Sequence, residues 1–382
     1  MRLNIISFLF VIFLFPLVFS CGQQRDLLKK VRESKDPRLN KVFDKPEKYA
    51  VQIIYTEICH KNDEVSLKDY KYRVDSENYF YPASTVKLPV AALSLEKLDS
   101  LQGQGVDIYR STPYHLEGDM VKHSIENDIK GVFAISDNEA YNRLFEFLGP
   151  DYINSHMKSK GLLPFRISHR FSGENSADTV TKQLIFNTKE GKYRLPVTYN
   201  QTADSLELKN VIIGKAYIKD DEQINEPFSF AYKNYFPLET QHALMKRLFF
   251  PEKFEKSELF HLSAGNMKFL KAAMSGLPRQ LGYDENEFYD SYGKFFIYGD
   301  SEDRIPDYIK IYNKVGYAYG NLTETAYVHD LKNNVEFLLS ATLRVNENEI
   351  YNDGKYEYDS IGIPFLAALG RKIYQLELER KK

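Results

Sequence analysis

The chain has 382 residues, 43% of them hydrophobic and 27% charged, an ordinary globular composition with enough length for a large core in one or two domains. The formal net charge is −2, and Lys and Arg are scattered without a long basic run, so nothing in the charge argues for nucleic acid as a partner. Tyr (28) and Phe (26) are abundant and Trp is absent, which describes an aromatic core rather than a binding signature.

The first segment reads as an export signal. Arg2 is a minimal positive region, and Leu3 to Phe19 is apolar, short, and interrupted by Pro16. Leu17-Val18-Phe19-Ser20-Cys21 resembles a bacterial lipobox, although Phe19 is bulky for one. The expectation is a signal peptide over 1–20, lipid on Cys21, a tether over 21–30 and a folded domain over 31–382. The protein is then exported and anchored to the cell-envelope membrane, on its periplasmic or surface side. The alternative is a plain secretory signal with a chance cysteine.

Residues 26–44 carry spaced apolar positions and predict an amphipathic helix interrupted near Pro37. Tyr49 to Cys59 is rich in β-branched and aromatic residues and predicts a strand, followed by polar turns and a second strand over Tyr70 to Val74. Leu88, Ala91, Ala92, Leu95 and Leu98 predict a buried helix over 84–98, with bending expected at Pro89. A helix follows residue 138 and ends near Gly149-Pro150. Residues 182–199 look extended, and 238–276 look helical with a break around Pro251. Three late strands are expected, over Tyr308–Tyr317, Glu324–Asp330 and Val335–Val345, then a closing helix over Pro364–Glu379. Strands from both chain ends with helices between them imply one sheet built from both ends.

Cys59 is the only other cysteine, so no disulfide is expected; it reads as a buried small side chain. The eight histidines form no pair at metal-ligand spacing, so neither metal nor cofactor is expected.

Three short motifs remain: Ser84-Thr85-Val86-Lys87, Ser136-Asp137-Asn138 and Lys314-Val315-Gly316. Ser-x-x-Lys alone is weak, since Ser94 and Lys97 repeat it. Ser84 stands out because Tyr81-Pro82-Ala83 lead into a helix there, where free backbone N–H groups can hold a developing oxyanion. Lys87 lies on the same face, so its amine can reach the hydroxyl as a base. For that its pKa must fall from about 10.4, through burial or a neighbouring cation such as Lys314. The competing reading of Ser84 is a helix cap, and capping also competes for Ser136-Asp137-Asn138. Functionally, Ser136 would pass a proton toward a leaving nitrogen, and Asn138 would hold Lys87 and the substrate amide. Lys314 reads either as a solvated edge-strand lysine or as the group that attracts a substrate carboxylate and polarises Ser136. Gly316 would allow close substrate approach, and the Tyr317 N–H would join that of Ser84 as the second oxyanion donor.

Together the motifs resemble those of the serine β-lactamases and penicillin-binding proteins, closest to class A. The likeness extends to ISDNEAYNRLFEFLG and KVGYAYGNLTETAYV and covers roughly 26–175 and 262–380. It implies an α+β fold: an antiparallel sheet flanked by helices, a mainly helical lobe, and an active site between them. It also implies a glutamate that activates water for deacylation; Glu174 is the best candidate, with a surface carboxylate as the alternative reading. Two departures stand out. Val315 replaces the usual hydroxyl residue, and a surplus of chain suggests an insertion at about 176–262.

The expected function is a serine hydrolase that cleaves an amide or lactam through an acyl-enzyme on Ser84, with a small-molecule or peptidoglycan-derived substrate. The alternatives are a penicillin-binding-protein-like cell-wall peptidase or esterase, or a non-catalytic envelope binding protein of the same fold.

Overall fold

The computed structural model describes residues 27–62, 64–171 and 175–381. The expected signal, Cys21 as the expected lipid site, and Glu174 lie outside them. Five antiparallel strands form the central sheet: β1 (Gln52–Lys61), β2 (Glu64–Tyr72), β3 (Ile309–Ala318), β4 (Asn321–Asp330) and β5 (Val335–Arg344), in the order β3-β4-β5-β1-β2. The two chain ends thus share one sheet. Central strands β4 and β5 are buried on both faces, whereas edge strand β2 is partly exposed along its length. That polarity hides most of β2 in the sequence, where only 70–74 has the pattern of a strand.

Nine helices surround the sheet among the described residues: α1 (Leu27–Arg32), α2 (Pro37–Phe43), α3 (Lys87–Gly103), α4 (Ile125–Ala134), α5 (Asn138–Leu148), α6 (Pro150–Ser159), α7 (Leu238–Phe249), α8 (Ala264–Ser275) and α9 (Ile363–Lys381). Pro37 divides the first helical segment by opening α2, where its missing N–H costs nothing; Asp36 caps that end by accepting from Arg38 N at 2.9 Å. Two cores result, one on each sheet face. On one, α1, α2 and α9 bury Leu28, Val31, Leu39, Phe365, Leu369 and Ile373 against β3, β4 and β5. Each such side chain contributes about 1.5–3 kcal/mol of burial. On the other, α3 to α8 form the helical lobe, with α7 against β1, β4 and β5.

Helix α3 is buried on every side from Lys87 to Glu96, so it is the axis of that lobe. The bend expected at Pro89 is not required. Pro89 is the third residue of α3, and an N–H in the first turn lacks an intrahelical partner in any case.

Residues 176–262 mix extended and helical structure. The hairpin Leu184–Thr188 and Gly191–Leu195 pairs with Tyr114–Leu116. Short strands follow over Ile212–Ile213, Ala216–Lys219, Glu222–Ile224 and Phe228–Ser229, and Ala216–Lys219 pairs in parallel with Ile350–Tyr351. An aromatic cluster, including Phe230, Tyr235 and Tyr351, fixes this segment to Tyr79 and Tyr81 just before Ser84. Its end, α7, belongs to the main core.

Candidate active site

Ser84 sits in a short 3-10 turn, Ala83–Val86, that runs directly into α3. Residues three apart eclipse in such a turn, which puts Lys87 on the Ser84 side. Thr85 ties the turn by donating to the Pro82 carbonyl from both its N–H (3.1 Å) and its hydroxyl (2.7 Å). Ala83 holds φ +46°, a left-handed conformation that costs an alanine on the order of 1 kcal/mol.

Ser136 also has a positive φ, +58°, in the tight link between α4 and α5. The second motif divides its labour. Asp137 caps α5, its carboxylate accepting from Glu139 N (2.8 Å) and Ala140 N (3.1 Å). Ser136 and Asn138 instead face Lys87, whose ammonium donates to Ser136 O (2.5 Å), Ser136 Oγ (3.2 Å) and Asn138 Oδ1 (2.7 Å). Lys314 of β3 donates to the same Ser136 Oγ at 3.0 Å and to Val315 O at 3.0 Å. No hydrogen bond engages the Ser84 hydroxyl among the described residues.

Burial dominates the electrostatics. Lys87 is fully buried, and desolvation, with the charge of Lys314 second, pushes its pKa well below the ordinary lysine value. Burial lowers Lys314 to about 7, with Lys294 pushing the same way and Glu324 opposing. Lys294, Asn313 and Glu324 form a buried polar layer beside it. Lys294 donates to Met274 O (2.8 Å) and Asn313 Oδ1 (2.6 Å); Glu324 accepts from Phe296 N (2.6 Å) and from the Asn313 amide. Burial raises Glu324 to about 7.

Gly316 has a steric role in addition to the expected one. A Cβ there would come within 2.6 Å of Pro82 O, 2.8 Å of Ser84 N and 2.9 Å of Thr85 N. The glycine therefore admits the backbone of the Ser84 turn itself. Tyr319 and Gly320, with φ +52° and +75°, form a two-residue turn between Ala318 and Asn321. Ala318–Asn321 then closes the hairpin as a hydrogen-bonded pair, so Tyr317–Leu322 is a non-bonded pair whose N–H and C=O point away from each other's strand. The Tyr317 N–H therefore points off the open sheet edge. Val315 has the same parity, and its outward carbonyl is the one that accepts from Lys314. The Val315 side chain is buried among the apolar residues of the sheet face that carries α9.

The cleft has two lobes that share Ser84, Asn138 and Tyr317. One, about 460 Å³, contains Ser136, Lys314, Phe133 and Tyr292. The other, about 560 Å³, contains Tyr81, His169, Lys233, Tyr319 and Tyr356. A larger cleft of about 1110 Å³, lined by Arg166 and Tyr232 among others, holds none of the motif residues.

Four separated side chains, Ser84, Ser136, Asn138 and Lys314, thus line one cleft beside Gly316 and Tyr317, and Lys87, buried behind them, is tied in through Ser136 and Asn138. The second Ser-x-x-Lys copy does not form a site: Ser94 donates to Val90 O and Lys97 to Phe147 O. No motif or spacing in the sequence marks Lys294, Asn313, Glu324 or Lys233 as part of the site. Glu324 alone left a trace, as an acid inside the apolar run LTETAYV; the others depend on long-range packing. Among the described residues, no three His, Cys, Asp or Glu side chains converge as a metal site, and no helix is long and apolar enough to cross a membrane.

Residues 36–193 match the model of the beta-lactamase enzyme family. No curated protein matches the sequence. Among solved structures, the fold is similar to a beta-lactamase from Streptosporangium roseum (13% identity, TM-score 0.52, covering 91% of this chain and 98% of that one). It is also similar to PBP-A (13% identity, TM-score 0.50, covering 92% and 96%). These likenesses establish the antiparallel-sheet and helical-lobe architecture.

Proposed function

We propose that this chain, a serine β-lactamase-related protein, hydrolyses amides or lactams through an acyl-enzyme on Ser84. The observation that carries this reading is the convergence of two buried amines, those of Lys87 and Lys314, on the hydroxyl of Ser136 beside the Ser84 turn. A lysine with a depressed pKa is neutral often enough to act as a base. Lys87 takes the proton as Ser84 Oγ bonds to the carbonyl carbon. The tetrahedral oxyanion sits between the N–H groups of Ser84 and Tyr317. Ser136 accepts hydrogen bonds from both amines, so its own proton is directed elsewhere and is available to the leaving nitrogen. That proton is replaced from Lys87. Lys314 holds an anionic leaving group while it remains charged. Water then cleaves the ester, returning Ser84.

A second reading, slow release in the manner of a penicillin-binding protein, draws on one observation. Asp137 is the carboxylate that the described residues place in the lobe with Ser136, and it is committed to capping α5. Glu174 is the proposed source of the deacylating base. The lipid anchor on Cys21 and the place of residues 176–262 as an insertion belong to this proposal too.

A fluorescent penicillin tests both readings. Turnover at Ser84 supports the hydrolase, and stable labelling lost in Ser84→Ala supports the slow-releasing enzyme. No labelling at saturating probe contradicts acyl transfer to β-lactams and leaves the binding-protein alternative.

A further inference from the structure

The lobe opposite Lys314 contains a cation to which the catalytic scheme gives no task. Lys233 lines it together with Tyr81, Tyr319 and Tyr356, across Ser84 from the Ser136 lobe. Its backbone is firmly placed. Arg166 bridges to Tyr235 through paired backbone bonds of 2.7 and 2.8 Å and donates from its guanidinium to the Lys233 carbonyl. Next to it, fully buried Asn234 accepts from Ser168 N at 2.8 Å. Lys233 is therefore presented by a stitched ladder, with the aromatic cluster around Phe230 behind it.

The ammonium itself makes no ion pair or hydrogen bond among the described residues. The charges that the described residues place around it are accounted for elsewhere. Arg170 is held by Glu146 through two bonds of 2.6 and 2.9 Å. Burial lowers His169 to about 4, so it is neutral. Burial also lowers Lys233, with no carboxylate opposing it. A half-buried cation without a counter-ion in a substrate cleft is costly unless the ligand supplies the charge.

Resting on the function proposed above, we infer that Lys233 is a specificity-determining residue, and that the substrate carries a carboxylate on the acyl side of the scissile bond. Ser136 and Lys314 assign the leaving group to the first lobe, so the acyl group extends into the second. The substrate class is then an acyl donor with an acidic acyl portion, not a purely apolar one. The segment 176–262 acquires a role in this way, since it delivers the charge that the core motifs lack.

The test uses p-nitrophenyl monoesters of a diacid series, glutaric to suberic, and the matching half-amides, in which only the terminal carboxylate is replaced by a neutral group of the same shape. Ser84 Oγ displaces p-nitrophenolate, whose colour reports acylation. At one chain length or more, wild-type protein is expected to prefer the acid over the half-amide by about ten- to hundredfold in second-order rate, the range of a charged hydrogen bond. Lys233→Gln should collapse that ratio toward one, Lys233→Arg should keep it, and Lys233→Glu should invert it. A ratio near one in wild type, or the same preference in Lys233→Gln, overturns the inference. If neither ester adds mass to Ser84, the acyl-enzyme reading fails instead, and the inference falls with it.

Discussion

Lys87 and Lys314 donate to the same oxygen, Ser136 Oγ, at 3.2 and 3.0 Å. Two ammonium groups held this close repel each other, and both are desolvated. The arrangement is therefore stable only if at least one amine readily gives up its proton. Lys87 directly follows the Ser84 turn and lies on its side, so it is the proposed base. Removing it should leave binding largely intact and acylation poor: Lys87→Ala should lower the acylation rate by about 10²–10⁴-fold, the usual range for a general base, in stopped-flow traces with a chromogenic β-lactam.

Lys314 governs the alkaline side. With its pKa near 7, it is charged below that pH and neutral above it. Attraction for an anionic leaving group should therefore weaken as pH rises through about 7, seen as a rising KM rather than a falling kcat. Lys314→Arg, which stays charged, should flatten that limb while the acid limb set by Lys87 persists.

Glu324 and Lys294 bias Lys314 in opposite directions, which gives a paired control. Glu324 favours the charged form and Lys294 disfavours it. Glu324→Gln should move the alkaline limb to lower pH, and Lys294→Met should move it to higher pH. Stability has its own sign. Lys294 and Lys314, lowered from 10.5 to about 7, hold fewer protons folded than unfolded, so their contribution rises with pH across that window. Glu324, raised from 4.5 to about 7, contributes stability below 4.5 that is lost as pH climbs to 7. Chemical denaturation at several pH values, with and without these substitutions, reads both slopes.

Gly316→Ala should separate fold from function. A methyl group there meets backbone atoms of the Ser84 turn at 2.6–2.9 Å, and backbone cannot rotate away as a side chain can. Overpacking of this kind costs about 1–3 kcal/mol. The melting temperature should fall modestly, while acylation falls far more because the turn is pushed out of line with the Tyr317 N–H.

The sequence made the motifs legible, and with them the strands from each chain end and the central helix. Their periodicity and order are local signals. Other features were not legible, because they exist only across the fold. Asp137 and Asn138 are adjacent and both good helix caps, yet one caps α5 and the other binds Lys87; only the α3–α5 contact decides which. Lys294 is an unremarkable residue in GKFFIYG until β3 and β4 bring Asn313 and Glu324 beside it. His242 in α7 is similar: it bonds Thr56 at 2.6 Å and Ser340 at 2.8 Å inside the core, although no spacing in the sequence announces it.

That network yields a prediction about the segment before residue 262. His242→Ala removes one side-chain partner each from Thr56 and Ser340, which keep Asp69 and Thr325, and opens a void between α7 and the sheet. It should destabilise the protein by about 2–4 kcal/mol. If α7 were a detachable appendage, the urea midpoint would hardly move.

The central claim is that Ser84 is the acylated residue and that Lys87 and Lys314 prepare the cleft around it. The most direct measurement is peptide mapping by mass spectrometry after brief incubation with a β-lactam and with an activated ester, quenched in acid. The account predicts an adduct on the peptide that bears Ser84, absent in Ser84→Ala and strongly slowed in Lys87→Ala. An adduct on Ser94 or Ser136, or one that persists in Ser84→Ala, would contradict it.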